Sequence, residues 1–244
     1  MDDGMSLDDL LPHLRPYSRT LDTSPLHHLG RRYDATGAFL PEPGNTIVCH
    51  LLKGSASERA VVAARQSLMD LPEARENLAF TPVPSLHMTL FQGIIEYRRT
   101  VPFWPQDMPL DTPIEDMTAH YLRKLESFAA PGPFTMTVTD ATPEGLTIDG
   151  ATAADRACLK EWRDRLASAF GYRHPDHDSY RYHITFAYVL RRFSDEAILA
   201  WDEALPDIVA RLRDEAPTLE LAPPAYCSFE DMKHFEELRV LAPA

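Results

Sequence analysis

The chain has 244 residues, 44% of them hydrophobic, and a formal net charge of -13. It is long enough to bury a sizeable core, as one large domain or two small fused lobes. The charge excludes a broad basic surface of the kind that grips long duplex nucleic acid, where many phosphates must be neutralised. A small anionic ligand or an RNA end stays compatible with it. Cys49, Cys158 and Cys227 form no CxxC pair and are too few to staple a chain of this size, which points to a reducing cytoplasm. The N-terminus lacks a basic start followed by an apolar run. No stretch approaches the roughly 20 apolar residues of a membrane span, so a soluble, unprocessed chain without a membrane partner is expected.

Residues 1–44 hold short apolar clusters between Pro and Gly signals such as Pro12, Pro25, Gly30, Gly37 and Pro43, and are expected to lie as an arm over the rest. A first strand is predicted over 45–52, where β-branched residues follow a Pro-Gly turn. A helix follows over 58–69 with Ser57 as its N-cap, ending at Asp70-Leu71-Pro72. The next strand is Leu86 to Phe91. Between 97 and 133 the chain is Pro-rich and irregular, with a helix expected over 114–128. Strands over 134–140 and 145–148 form a hairpin, and a helix over 153–170 ends at Gly171. A long strand over 181–190, a helix from 195 to about 213 capped by Ser194, and strands near 218–230 and 235–241 complete the chain. The organisation expected is an arm over 1–44 and one two-lobed domain over 45–244, with lobe one to about 96, an insert to about 133 and lobe two beyond.

Each half contains an HxT triplet inside an apolar strand. Side chains alternate faces along a strand, so His87 and Thr89 share a face with Ser85 and Phe91, while Leu86, Met88 and Leu90 point the other way. In the second triplet His183 and Thr185 share a face with Arg181 and Ala187, opposite Tyr182, Ile184, Phe186 and Tyr188. One neutral imidazole can take a proton from attacking water while a second, protonated one delivers a proton to the departing oxygen. A Thr hydroxyl two residues along, about 7 Å away on the same face, can donate to a non-bridging phosphate oxygen. HxT is short, and chance alone would supply about 0.7 matches in a chain of this composition. The matched parity, the strand context and the placement of one copy in each half, 96 residues apart, carry the reading.

Paired motifs of the form His-x-Thr-apolar, here His87-Met88-Thr89-Leu90 and His183-Ile184-Thr185-Phe186, resemble the signature of the 2H phosphoesterase superfamily, which includes 2′,3′-cyclic phosphodiesterases and bacterial RNA ligase-like enzymes. The resemblance spans about residues 45–240, and the segment Leu40 to Thr46 looks like a little-studied bacterial branch. It implies an α+β fold of two pseudo-symmetric βαβ-type lobes with antiparallel sheets around a central cleft. It also implies hydrolysis of a small cyclic phosphodiester, usually a 2′,3′-cyclic nucleotide or RNA-end cyclic phosphate, with His87, Thr89, His183 and Thr185 catalytic and no metal or cofactor. Which histidine is the base stays open. RNA-end ligation or processing, and a nucleotide-binding module without turnover, are the alternatives.

Three further residues are expected at the substrate. Arg181 shares a face with His183 and offers a guanidinium fork for a phosphate, while Tyr180 and Phe91 are candidates to stack on a base, as more loosely is Trp104. Tyr182 falls on the buried face and reads as core. The segment His174-Pro175-Asp176-His177-Asp178 invites a metal reading, but its spacing matches no zinc or calcium pattern, and it reads instead as a loop that orients the following strand. His50, on the first strand, faces either cleft or core.

Overall fold

The structure is a computed structural model that describes residues 6–242; the first five residues of the predicted arm lie outside it. The chain folds as β1 (Gly44–His50), α1 (Ala56–Met69), α2 (Ala74–Asn77), β2 (Leu78–Phe80), β3 (His87–Ile95), α3 (Ile114–Lys124), β4 (Met136–Thr142), β5 (Gly145–Gly150), α4 (Ala153–Phe170), β6 (Tyr182–Thr185), β7 (Ala187–Val189), α5 (Asp195–Glu215), β8 (Ala225–Phe229) and β9 (Glu236–Val240). Seven strands form one antiparallel sheet in the order β4-β5-β6-β3-β1-β8-β9, and β2 pairs with β7 in a separate two-stranded sheet. The fold is α+β, and the two HxT strands are neighbours at the middle of the large sheet. On one side β1-α1-β3, and on the other β5-α4-β6, run strand, helix, and antiparallel return. The two halves mirror each other about the β3–β6 seam and share a continuous sheet.

Local chemistry explains most of the elements. Ser55, two residues earlier than expected, caps α1 by accepting from the Glu58 amide, whereas the Ser57 hydroxyl donates to the Thr218 carbonyl and ties the helix to the segment before β8. Thr152 and Asp155 form a capping box at the start of α4, and Gly171 ends that helix at φ 78°, in the left-handed region that glycine adopts without a Cβ clash. Ser194 caps α5 as expected. The predicted long strand over 181–190 is instead two. The Glu144 carbonyl accepts from the amides of both Phe186 and Ala187, which breaks the ladder at Phe186 and sends β7 to pair with β2. No local signal marks this break, because apolar residues continue through it.

The helices cover one sheet face, where Ile47, Cys49, Met88, Leu146, Ile148, Tyr182 and Ile184 join a single core with Trp162, Phe170 and Trp201. Tyr182 is core, as its parity requires. On the other face Val48, Ala225, Cys227 and Phe229 form a second cluster with Tyr33 of the arm, Tyr188, Met232 and Phe235. The arm is built into both: Leu10 and Leu14 enter the main core, Tyr33 the second cluster, and the Tyr33 hydroxyl donates to the Val189 carbonyl. Among the described residues no helix is long and apolar enough to cross a membrane.

Candidate active site

Met88 on β3 pairs with Ile184 on β6 in antiparallel register. One step to either side, His87 falls opposite Thr185 and Thr89 opposite His183. The four side chains project from the sheet face away from the main core, because their neighbours Met88 and Ile184 are fully buried in it. Directly opposed residues of such a pair lie about 5 Å apart, and the diagonal, which here joins His87 to His183, spans about 7–8 Å. A group between the two imidazoles therefore meets a histidine on each side and a threonine hydroxyl beside each.

Both histidines are held alike. His87 Nδ1 lies 2.7 Å from the carbonyl oxygen of Ser85, and His183 Nδ1 lies 3.0 Å from that of Arg181. A carbonyl only accepts, so Nδ1 is the protonated nitrogen in each neutral ring and Nε2 is left free. Thr185 spends its hydroxyl on no hydrogen bond among the described residues, and the Thr89 hydroxyl lies within reach of the Tyr180 hydroxyl. Their surroundings differ. His183 is exposed, whereas His87 is partly buried, with the Phe235 ring centroid 4.1 Å from its own and His50 at 6.0 Å. Burial, with smaller contributions from His50 and His183, pushes the His87 imidazole down to about 3, against the pull of the Ser85 carbonyl. His50 itself bonds Glu237 at 3.0 Å and does not line the cleft.

The quartet opens into a cavity of about 640 Å³. Tyr180 lines it: its ring stacks on the buried Arg163 guanidinium at 4.1 Å, and burial raises its hydroxyl to about 12. Arg181 is exposed and sends its side chain outside the cavity; it serves the site through the carbonyl that holds His183. Phe91 is 2% exposed and packs in the main core against Phe170 and Tyr172. The simple alternation that placed it beside Thr89 fails because β3 bulges. Ile47 pairs with Phe91 but Val48 pairs with Thr89, leaving Leu90 as the extra residue, and the Leu90 carbonyl accepts from Arg163 Nη1 at 2.8 Å. Phe91 thereby turns to the core and Gln92 to the cleft. A second irregularity lies between Thr46 and Gly44, where the Ile94 amide donates to Asn45 Oδ1. There Gly93 is obligatory, because a Cβ would stand 2.1 Å from the Asn45 carbonyl. Trp104, fully buried with its indole donating to the Pro109 carbonyl, is not at the cleft either.

A family model described as "2H-phosphodiest: Domain of unknown function (DUF1868)" matches residues 32–147, which take in the first HxT triplet. The chain is also similar, at 49% identity over 95% of its length and 99% of the other chain, to the conserved protein of unknown function ATU0111 from Agrobacterium tumefaciens str. C58, whose crystal structure matches with a TM-score of 0.92. No curated protein matches. The chain belongs to the 2H phosphoesterase superfamily. Membership supports a phosphoesterase-type enzyme.

Much of the cleft of this 2H phosphoesterase comes from segments whose roles the sequence did not disclose. The arm supplies His27, His28 and Arg32, and the insert supplies Tyr97, Arg98 and Phe103. A signal was present: His27-His28, Arg31-Arg32 and Arg98-Arg99 are doubled basic or imidazole residues in an acidic chain. The segment 174–178 behaves as a strand-orienting loop. His174 Nδ1 bonds Gln92 Oε1 at 3.0 Å, and His177 Nε2 bonds Asp164 at 2.9 Å. Asp164, His177 and Asp178 stand close enough to hold a metal ion, yet their carboxylates already pair with Lys160 and Arg173, and none of the three lines the cleft.

Proposed function

We propose that this 2H phosphoesterase hydrolyses a small cyclic phosphodiester, a 2′,3′-cyclic nucleotide or an RNA-end cyclic phosphate, by two-histidine acid–base catalysis without a metal. The observation that carries the reading is the Met88–Ile184 pairing, which opposes the two His/Thr pairs across one seam. His87, kept neutral by burial, is the base: its Nε2 takes a proton from water as the water oxygen bonds to phosphorus. His183, exposed to solvent, is the acid: its Nε2–H gives a proton to the ribose oxygen as the P–O bond to it breaks. The ring opens to a monoester, and the two imidazoles exchange protons with solvent to reset. Thr89 and Thr185 donate to the non-bridging oxygens, whose charge grows in the transition state.

The metal-free assignment rests on the donor set, since no carboxylate or thiolate belongs to the quartet. A small substrate suits the cavity, whose volume of about 640 Å³ falls in the range of about 300–1,000 Å³ usual for small-molecule sites. The test is hydrolysis of a panel of 2′,3′-cyclic nucleotides with EDTA present, by the wild type and by His87→Ala and His183→Ala separately. Turnover by the wild type that both variants lose supports the reading. Undiminished hydrolysis in either variant, or activity abolished by EDTA, overturns it.

A further inference from the structure

Away from the quartet, the cleft runs along β3 from Thr89 to Gln92 and meets the wall built by arm and insert. Arg98 stands there with its donors largely unspent. One guanidinium nitrogen, Nη1, donates to Gln92 Oε1 at 3.3 Å, while Nε and Nη2 are buried with no partner. The guanidinium packs on the Phe103 ring at 4.5 Å, and no carboxylate reaches ion-pair distance of it among the described residues. Arg32 of the arm is close enough to repel it, and Arg32 is already committed to Glu42 at 2.7 Å and to the Tyr188 hydroxyl. His28, near both arginines, has a buried Nδ1 without a partner, and burial and Arg32 hold its ring neutral, down to about 3. A buried cation with idle donors is costly unless something pairs with it. Two acids also line the cleft. Asp176 is exposed and lies outside ion-pair distance of Arg98, and Glu144 accepts from the Tyr17 hydroxyl at 2.9 Å with its carboxyl raised by burial, which reduces its negative charge.

We infer that Arg98, with His28 beside it, forms a second anion subsite that takes a phosphate one nucleoside away from the reacting one. Gln92 lies three positions beyond Thr89 along the strand, on the order of 10 Å, which is room for a ribose between the two phosphates. The inference rests on the proposed reading of the quartet and sharpens its substrate: a molecule with a phosphate on the 5′ side of its cyclic phosphate. That group is either a terminal 5′-monoester on a mononucleotide or the last diester of an RNA strand. Binding turns the guanidinium on the Phe103 ring so that Nε and Nη2, buried and unpartnered in the free protein, form the fork that takes two phosphate oxygens side by side.

Binding tests this separately from turnover. Isothermal titration compares adenosine 3′-monophosphate with adenosine 3′,5′-bisphosphate, which differ only in the 5′-phosphate. The expected result is tighter binding of the bisphosphate by about tenfold or more, the gain from a charge-assisted hydrogen bond. In Arg98→Gln that ratio falls to about one, and in Arg98→Lys, which keeps the charge but not the fork, to an intermediate value. A bisphosphate advantage missing from the wild type, one that survives in Arg98→Gln, or no binding of either nucleotide overturns the subsite. Kinetics then separates the two ideas. Turnover of 2′,3′-cyclic AMP with no gain from a 5′-phosphate overturns the subsite alone, whereas an Arg98-dependent bisphosphate advantage without any turnover overturns the catalytic reading alone. A dinucleotide ending in a cyclic phosphate, run beside the 5′-phosphorylated mononucleotide, distinguishes the two sources of the 5′-side phosphate by which shows the lower KM.

Discussion

His87 and His183 occupy matching places on β3 and β6, each with Nδ1 tied to the carbonyl two residues back and a threonine two residues ahead, yet their surroundings diverge. Phe235 and His50 crowd His87, while His183 is open to water. Symmetric backbone geometry thus supplies two like groups, and asymmetric packing gives them unlike surroundings. The proposed acid–base reaction would use that difference, with one imidazole taking a proton and the other delivering one.

The largest expected effect comes from removing either member. His87→Ala and His183→Ala should each lower kcat/KM by about 10²–10⁴-fold, the range for loss of a positioned proton-transfer group; steady-state rates on 2′,3′-cyclic nucleotides check it. Next come the hydroxyls. Thr89→Val and Thr185→Val should each lower kcat by about a hundredfold with little change in KM, the pattern of a donor used mainly in the transition state. Equal losses would show that the quartet is symmetric toward the phosphate even though its histidines are not.

Arg163→Met tests the scaffold under the first half-site. Arg163 is 4% exposed, and its guanidinium donates to the Leu90 and His177 carbonyls and lies under Tyr180. Its loss leaves two carbonyls without a donor. Stability should fall by about 2–4 kcal/mol in urea denaturation, with kcat reduced as the Leu90 bulge relaxes. Phe235→Ala has a subtler effect. Opening the ring's place to water should raise the His87 imidazole from about 3 toward the ordinary value of about 6.5, and the acid limb of kcat/KM should move up with it.

Stability carries a related pH signature. His28, His87 and His174 are each depressed to about 3, chiefly by burial. The unfolded chain takes up these protons near pH 6.5 and the folded one only near 3, so between those values the unfolded state binds more protons. Stability should be full above about pH 6.5, and melting temperature should drop steadily as pH is lowered through that window. A melting temperature level from pH 7 to 4 would contradict the depressed values.

These contrasts also mark what the sequence disclosed. Period-two alternation was enough to pair His87 with Thr89 and His183 with Thr185 and to bury Tyr182, because those stretches of β3 and β6 are regular. It misplaced Phe91 and overlooked Gln92 because the bulge at Leu90 is fixed by Arg163, 73 residues away in the chain, and nothing local encodes it. The break at Phe186 has the same character, since the Glu144 carbonyl that causes it sits in the β4–β5 turn. The cleft wall of Arg32, Arg98 and His28 was hidden for a further reason. Arm and insert have irregular, Pro-rich sequences without periodicity, and only tertiary packing brings them to the quartet.

The asymmetry of the two histidines is tested most directly by the ring nitrogens of His87. Long-range ¹H–¹⁵N spectra of the free protein, assigned by comparison with His87→Ala, report tautomer and protonation between pH 7 and 5. A neutral ring protonated on Nδ1 throughout that range is the result that burial under Phe235 predicts. A His87 that gains its second proton between pH 7 and 5 would contradict that burial, and one that carries its proton on Nε2 would contradict the assignment of His87 as the base.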